Sequence, residues 1–288
     1  MKNRASPFLL VAPGVLLLIL FLLAPALSGL AMSFRRTSLS GVTEFVGLEN
    51  YIRLFTEGGR FISNVKITLI YVTVVILLTI PMSYATALLI TRKSLFSSFF
   101  RGMYLIPWIT APVVSTLTVR TMLDPNMGII HFIVRAAAKQ DVFILNDGST
   151  ALIVIILHSF WRSFPYIMLF LAAGISTIPR EMYEAAGVDG AGKVRSFFSL
   201  TLPMTANQLG IGVLMVTIWT IQDSESVYAL TQGGPGYATE TIAVRLFKSS
   251  FVNFDLNMGS VLGLVLIIIS LLFMSLYLKL LMRGSLYE

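Results

Sequence analysis

The spacing of charges constrains this chain more than any other feature. No charged residue occurs between Arg4 and Arg35, and similar apolar runs recur to the C-terminus. A helix rises 1.5 Å per residue, so crossing about 30 Å of hydrocarbon takes roughly 20 apolar residues. Residues 7–31, 67–91, 102–119, 151–175 and 256–278 each suit such a crossing. A sixth lies in the charge-free stretch 196–222 and starts near Pro203. The third run is short and broken by Pro107 and Pro112, and the fourth is interrupted only by Arg162. Barrel strands would instead alternate over about ten residues. The pattern predicts an all-α membrane protein of about six transmembrane helices. Of 288 residues, 56% are hydrophobic and 12% charged. A soluble protein is about one-quarter charged, so little room remains for a large soluble domain.

The first run follows Lys2 and Arg4 and precedes Ala24-Pro25-Ala26, as in a secretory signal peptide. It outlasts the usual apolar core of about 7–15 residues, so it is read as an uncleaved anchor. Orientation follows from basic residues. With the N-terminus inside, inner segments 1–6, 91–101, 176–202 and 279–288 hold ten Lys/Arg and four Asp/Glu. The outer segments 31–66, 120–150 and 223–256 hold ten of each in nearly twice the length. Lys/Arg density therefore places both termini in the cytoplasm. The net charge of +7 reads as a topology signal, not a nucleic-acid footprint. With no Cys, and His131 and His158 the only histidines, neither thiol chemistry nor a His/Cys metal cluster is expected. The chain divides into residues 1–66, the first span and outer loop, and 67–288, a core of five spans with a cytoplasmic loop at 177–203.

Arg162 sits near the middle of the fourth span, where an unpaired guanidinium is costly. Two readings stand: a residue facing a transport pathway, or an ion pair to Asp223 or Glu225 that ties helices together. Ser159, Arg162, Ser163 and Tyr166 fall on one helical stripe, i, i+3, i+4, i+7. Trp219, Thr220 and Asp223 form a second cluster at the end of span five. Aromatic faces beside hydroxyls and a carboxylate suit a sugar, whose apolar ring face stacks while its hydroxyls hydrogen-bond. The Arg also admits an anionic sugar or a sugar phosphate. In span six, Gly259 and Gly263 are spaced for close helix packing.

The loop between spans four and five reads as helix, turn, helix. Pro179 opens the first helix, Glu181 and Glu184 favour its N-terminal half, and Gly190 supplies a left-handed turn. Phe197, Phe198 and Leu200 then suit a membrane face. Within it, Gly187 to Gly192-Lys193 imitates the start of a phosphate-binding loop. Val194 stands where Ser or Thr is needed, and no strand precedes it. The chain thus lacks its own ATPase site.

Glu184-Ala185-Ala186, then Gly190, then Leu200-x-Leu202-Pro203 resembles the EAA motif of binding-protein-dependent ABC importer permeases. Phe45-Val46-Gly47-Leu48-Glu49-Asn50-Tyr51 resembles a first-outer-loop segment of the MalF-like carbohydrate permeases. Leu230-Thr231-Gln232-Gly233-Gly234-Pro235, with Thr239 and Thr241, resembles their LT-x-GGP stretch, and Arg101 through Pro107-Trp108 also matches. Leu200 stands where the family often has Ile, and Thr121 where it often has Trp. The resemblance implies the type I ABC importer permease fold and a coupling helix that docks on an ATPase subunit through Glu184, Ala185, Ala186, Gly187, Asp189 and Gly190. It implies a second related permease subunit, two cytoplasmic ATPases carrying ATP and Mg, an extracytoplasmic solute-binding protein, and no cofactor on this chain. It further implies alternating access across the bacterial inner membrane, with the stripes at Arg162 and Asp223 lining the sugar path. The rival is a secondary transporter or channel without an ATPase partner. It would call for intramembrane carboxylates, which the apolar runs lack. A membrane-embedded enzyme would show an HExxH, a GxSxG or paired intramembrane aspartates, and none is present.

Overall fold

The computed structural model describes residues 6–37, 41–91, 97–140 and 143–284. Lys2, Arg4, Arg92, Lys93, Asp141 and Glu288, which enter the orientation count, lie outside them. The chain opens with α1 (Ser6–Leu18), a π-helical turn (Ile19–Leu23) and α2 (Ala24–Ser33). Strands β1 (Arg35–Thr37) and β2 (Thr43–Phe45) then pair antiparallel, with Arg35 opposite Phe45. Next come α3 (Glu49–Thr56), α4 (Arg60–Ile90), α5 (Ser97–Ile109), α6 (Pro112–Met122) and α7 (Ile129–Ala138). The long α8 (Gly148–Thr177) leads into α9 (Arg180–Val188), α10 (Lys193–Ser196), a π-turn (Phe197–Thr201) and α11 (Leu202–Met204). The chain continues through α12 (Ala206–Gln222), α13 (Glu225–Thr231), α14 (Ile242–Phe247), a π-turn (Lys248–Val252) and α15 (Leu256–Gly284).

Four stretches are long and apolar enough to cross a membrane: Val11–Ser33, Arg60–Ile90, Gly148–Thr177 and Leu256–Lys279. Two bent pairs complete the six. Gly102–Ile109 and Pro112–Met122 meet at 96°, and Lys193–Met204 and Ala206–Gln222 meet at 70°. The first bend falls where the sequence is broken by prolines. Pro107 lies inside α5, and Pro112 pre-sets the first turn of α6. The second bend moves the start of the straight fifth span. Pro203 lies before the bend in α11, and the straight helix begins at Ala206. The backbone breaks at Thr205 (φ −106°, ψ 10°), whose hydroxyl donates to the Thr201 carbonyl at 2.7 Å. Tyr84 from α4 meets the same hydroxyl at 2.9 Å and fixes the corner. The β1–β2 hairpin is the one departure from all-helical structure among the described residues, and it sits in the loop after the first span.

Two compact units make up the chain, residues 1–63 with 245–267 and residues 64–244 with 268–288. In the first, polar side chains organise the loop. Asn50 donates from Nδ2 to the carbonyls of Ser33 and Arg35, both at 2.8 Å. Asn257 accepts from the Thr37 amide at 3.0 Å and donates to the Met32 carbonyl at 2.9 Å. The buried Arg245 pairs with Glu57, and Arg53 reaches Asp255 at 3.0 Å.

The second unit has its core where α4, α8 and α12 meet. Tyr71 and Val75, then Ile167, Met168 and Leu171, then Val213 and Val216 form one apolar cluster. Asp147 starts α8 by accepting the amides of Ser149 and Thr150 at 3.1 and 3.0 Å. Pro165 interrupts the α8 ladder midway, and beside it the Ser83 hydroxyl donates to the Phe164 carbonyl at 2.8 Å. The Thr231–Thr241 loop is pinned internally and to α4. The Thr231 and Thr239 hydroxyls lie 2.7 Å apart, and Thr239 also donates to the Gly234 carbonyl at 2.7 Å. Asn64 donates to the carbonyl of the buried Glu240 at 2.7 Å, and Thr68 Oγ1 accepts the Ile242 amide at 3.0 Å.

Candidate functional site

A cleft of about 440 Å³ opens in the second unit where α5, α6, α8 and α12 approach. Ser159, Arg162 and Ser163 line it from α8, and Trp219, Thr220 and Asp223 from the end of α12. Both stripes read from the sequence therefore face one space. Tyr166 does not line it. Its ring stands behind, 4.7 Å from Trp219 and 5.5 Å from Trp108 between centroids, and orients the two indoles that do. Trp108, Gln222, Ser224 and Glu225 complete the polar and aromatic wall.

Tyr71 joins this site from α4, donating its hydroxyl to Asp223 Oδ2 at 2.9 Å. The Ser226 amide donates to Asp223 Oδ1 at 3.0 Å, so both carboxylate oxygens are engaged. Arg162 donates through Nη1 to the Ser226 hydroxyl in a long 3.4 Å bond. Ser226 thus stands between the guanidinium and the carboxylate. No direct ion pair joins Arg162 to Asp223 or Glu225 among the described residues, and the guanidinium is linked to the Asp223 carboxylate through Ser226. Arg162 Nε is buried and without a hydrogen-bond partner. A buried donor of this kind is costly unless something else supplies its acceptor.

The loop after α8 is ordered as helix, turn, helix. Pro179 is the residue before α9, one position earlier than a first-turn proline. Glu184, Ala185, Gly187, Asp189 and Gly190 are exposed and Ala186 is half-buried, so α9 presents a face of small and acidic groups. Gly190 takes φ +77°, the left-handed conformation that a Cβ disfavours. The Ala191 amide then donates back to the Ala186 carbonyl at 2.8 Å and closes the helix end. The hydroxyls of Tyr183 and Thr201 meet at 2.9 Å and tie α9 to the helix leading into span five. Phe198 is exposed as a membrane-facing ring should be, whereas Phe197 turns inward onto Tyr84, ring to ring at 5.1 Å. Helical spacing does not find Trp108, Tyr71 or Ser226, because Trp108 reaches the cleft, and Tyr71 and Ser226 reach Asp223, each from a separate element.

Residues 80–283 match the family described as "Binding-protein-dependent transport system inner membrane component". The chain belongs to this family. The permease is 31% identical over 283 residues to the sulfoquinovosyl glycerol transport system permease SmoG of Agrobacterium fabrum, covering 96% of this chain and 90% of SmoG. It is 29% identical over 269 residues to the sn-glycerol-3-phosphate transport system permease UgpA of the same organism, covering 93% and 91%. Against the probable ABC transporter permease YurN of Bacillus subtilis it is 30% identical over 275 residues, covering 94% of each. Its fold matches a crystal structure of a bacterial ABC transporter involved in the import of the acidic polysaccharide alginate. That match has TM-score 0.84 at 19% identity and covers 98% of this chain and 96% of that one. The permease is thus a multi-pass membrane protein with the importer-permease fold, as the EAA-type loop leads one to expect.

Proposed function

We propose that this permease carries a carbohydrate or polyol bearing an anionic group across the bacterial inner membrane, as one transmembrane subunit of an ATP-driven importer. One observation carries the substrate reading: the buried, unpartnered Nε of Arg162 beside a cleft walled by two indoles. An anionic oxygen supplies the missing acceptor, and the indoles stack the apolar face of the carbon skeleton. The substrates named for UgpA and SmoG, sn-glycerol-3-phosphate and sulfoquinovosyl glycerol, combine hydroxyls with an acidic group. Asp223 is already held by Tyr71 and Ser226, so its carboxylate is fixed in place and leaves Arg162 Nε to the ligand.

The exposed face of α9 is the docking surface for a cytoplasmic ATPase subunit. Glu184 pairs there with a basic residue of the ATPase, and the small side chains of Ala185, Ala186, Gly187 and Gly190 allow close approach. Both termini lie on that cytoplasmic side. A second, related permease subunit completes the pathway, two ATPases hold ATP and Mg, and an extracytoplasmic binding protein delivers substrate. A related complex crystallised with a periplasmic protein carrying an alginate pentasaccharide supports that last partner.

The test is substrate uptake and substrate-stimulated ATPase activity of the reconstituted complex, across neutral and acidic sugars and polyols. Acidic polyols should stimulate both, and a preference for neutral sugars would overturn the assignment of Arg162. Glu184→Arg should leave ATP hydrolysis running while uptake falls at least tenfold. Normal uptake in that variant would remove Glu184 from the coupling contact.

A further inference from the structure

Helix α7 has two apolar faces, and the proposed transport cycle uses neither. One face packs inward: His131 is buried, with Ile130 and Val134 half-buried beside it. The other carries Ile129, Phe132 and Ile133, which are 60%, 49% and 63% exposed. Their spacing, i, i+3, i+4, puts them on one stripe, and Ala136 extends it by a turn. Residues 129–140 contain two charges, Arg135 and Lys139, both basic and four apart. These two, with Phe132, Ala136 and Gln140, border a shallow groove of about 570 Å³ along the end of the helix.

We infer that α7 is an interfacial helix, with its outward stripe in the acyl boundary of the bilayer and anionic lipid headgroups as the ligands of its basic edge. Three observations support that occupant. An apolar stripe flanked by basic side chains is the pattern of a helix lying in the membrane plane. The preceding helix α6 also exposes apolar side chains, with Val114, Leu117 and Met122 57%, 49% and 40% exposed. The long apolar α8 then enters the membrane ten residues after α7 ends. Since α7 precedes α8 and α9 follows it, α7 lies on the membrane surface opposite the coupling loop. Only the naming of the outer leaflet rests on the proposed function. Long basic side chains reach the headgroup layer while their stems stay on the apolar surface.

The chain has no Cys, so a single introduced thiol reports one position. Ile133→Cys carries a nitroxide in the assembled transporter, reconstituted in nanodiscs, with Leu271→Cys on α15 as a lipid-facing reference. Oxygen should relax the label at position 133 more than a water-soluble nickel chelate does, as at position 271. Faster relaxation by nickel would place the stripe in water. Slow relaxation by both would place it against a protein subunit. Either result overturns the inference. For the headgroup, a bimane at position 133 is quenched by brominated phosphatidylglycerol or brominated phosphatidylethanolamine. The anionic lipid should quench roughly twofold more strongly, and Arg135→Gln with Lys139→Gln should abolish the difference. Equal quenching before those substitutions would remove the anionic ligand.

Discussion

The hydroxyl of Tyr71 in α4 donates to Oδ2 of Asp223 at the end of α12, across 2.9 Å. The bond ties the second span to the fifth at the cleft and engages Oδ2 while the Ser226 amide engages Oδ1. Tyr71→Phe keeps the ring in the core and removes the donor. Losing one partner of a buried polar group costs about 1–3 kcal/mol. The purified complex should melt several degrees lower, and its affinity for substrate should fall while basal ATPase activity holds. Thermal melting alongside substrate-dependent ATPase assays checks both.

Arg162 was legible as a mid-membrane charge because its neighbours for eleven residues on either side are uncharged. Its stripe was legible from helical spacing. Its partner was not. Ser226 is an ordinary residue in sequence, and it matters only because the chain turns after Gln222 and brings α13 back over α8. Trp108 was visible as part of a motif, but its place in the cleft depends on the 96° bend between α5 and α6. The prolines announced a break there without giving its angle. The straight part of span five begins at Ala206, three residues after Pro203, because the corner is fixed at Thr205, where Tyr84 from α4 meets its hydroxyl. The hairpin at 35–45 escaped notice because its strands are three residues each and exposed throughout.

Arg162→Gln tests the anion contact directly. A charge-assisted hydrogen bond is worth about 1.5–3 kcal/mol, so affinity for an acidic polyol should fall roughly tenfold or more. Uptake of a neutral polyol of similar size should change little. Concentration-dependent uptake of the two in proteoliposomes separates the outcomes, and equal losses would indicate a packing role.

Tyr183→Phe removes the hydroxyl that meets Thr201 at 2.9 Å. The face of α9 proposed to dock the ATPase stays intact, but its tie to the helix entering span five is lost. Substrate moved per ATP hydrolysed should fall by about half or more, with cleft affinity unchanged. An unchanged stoichiometry would show that the tie carries no force.

Gly259 in α15 faces the π-turn after α14, and a Cβ there would collide with Ser250 Oγ. Gly259→Ala should destabilise the protein by about 1–3 kcal/mol, as overpacking does. The double variant with Ser250→Gly should recover most of that loss. Melting temperatures of the single and double variants, compared as a cycle, check the contact.

The corner at Thr205 has the shape of a bell crank. One arm, Lys193–Met204, is tied to α9 by Tyr183, and the other, Ala206–Gln222, ends beside Trp219 and Asp223. Seventeen residues of helix make an arm of about 25 Å. A rotation of about 5° at the elbow then sweeps its far tip by about 2 Å, enough to break a hydrogen bond. With a rigid elbow, a push on the proposed ATPase-docking face at one end would become a sideways stroke of the indole at the other.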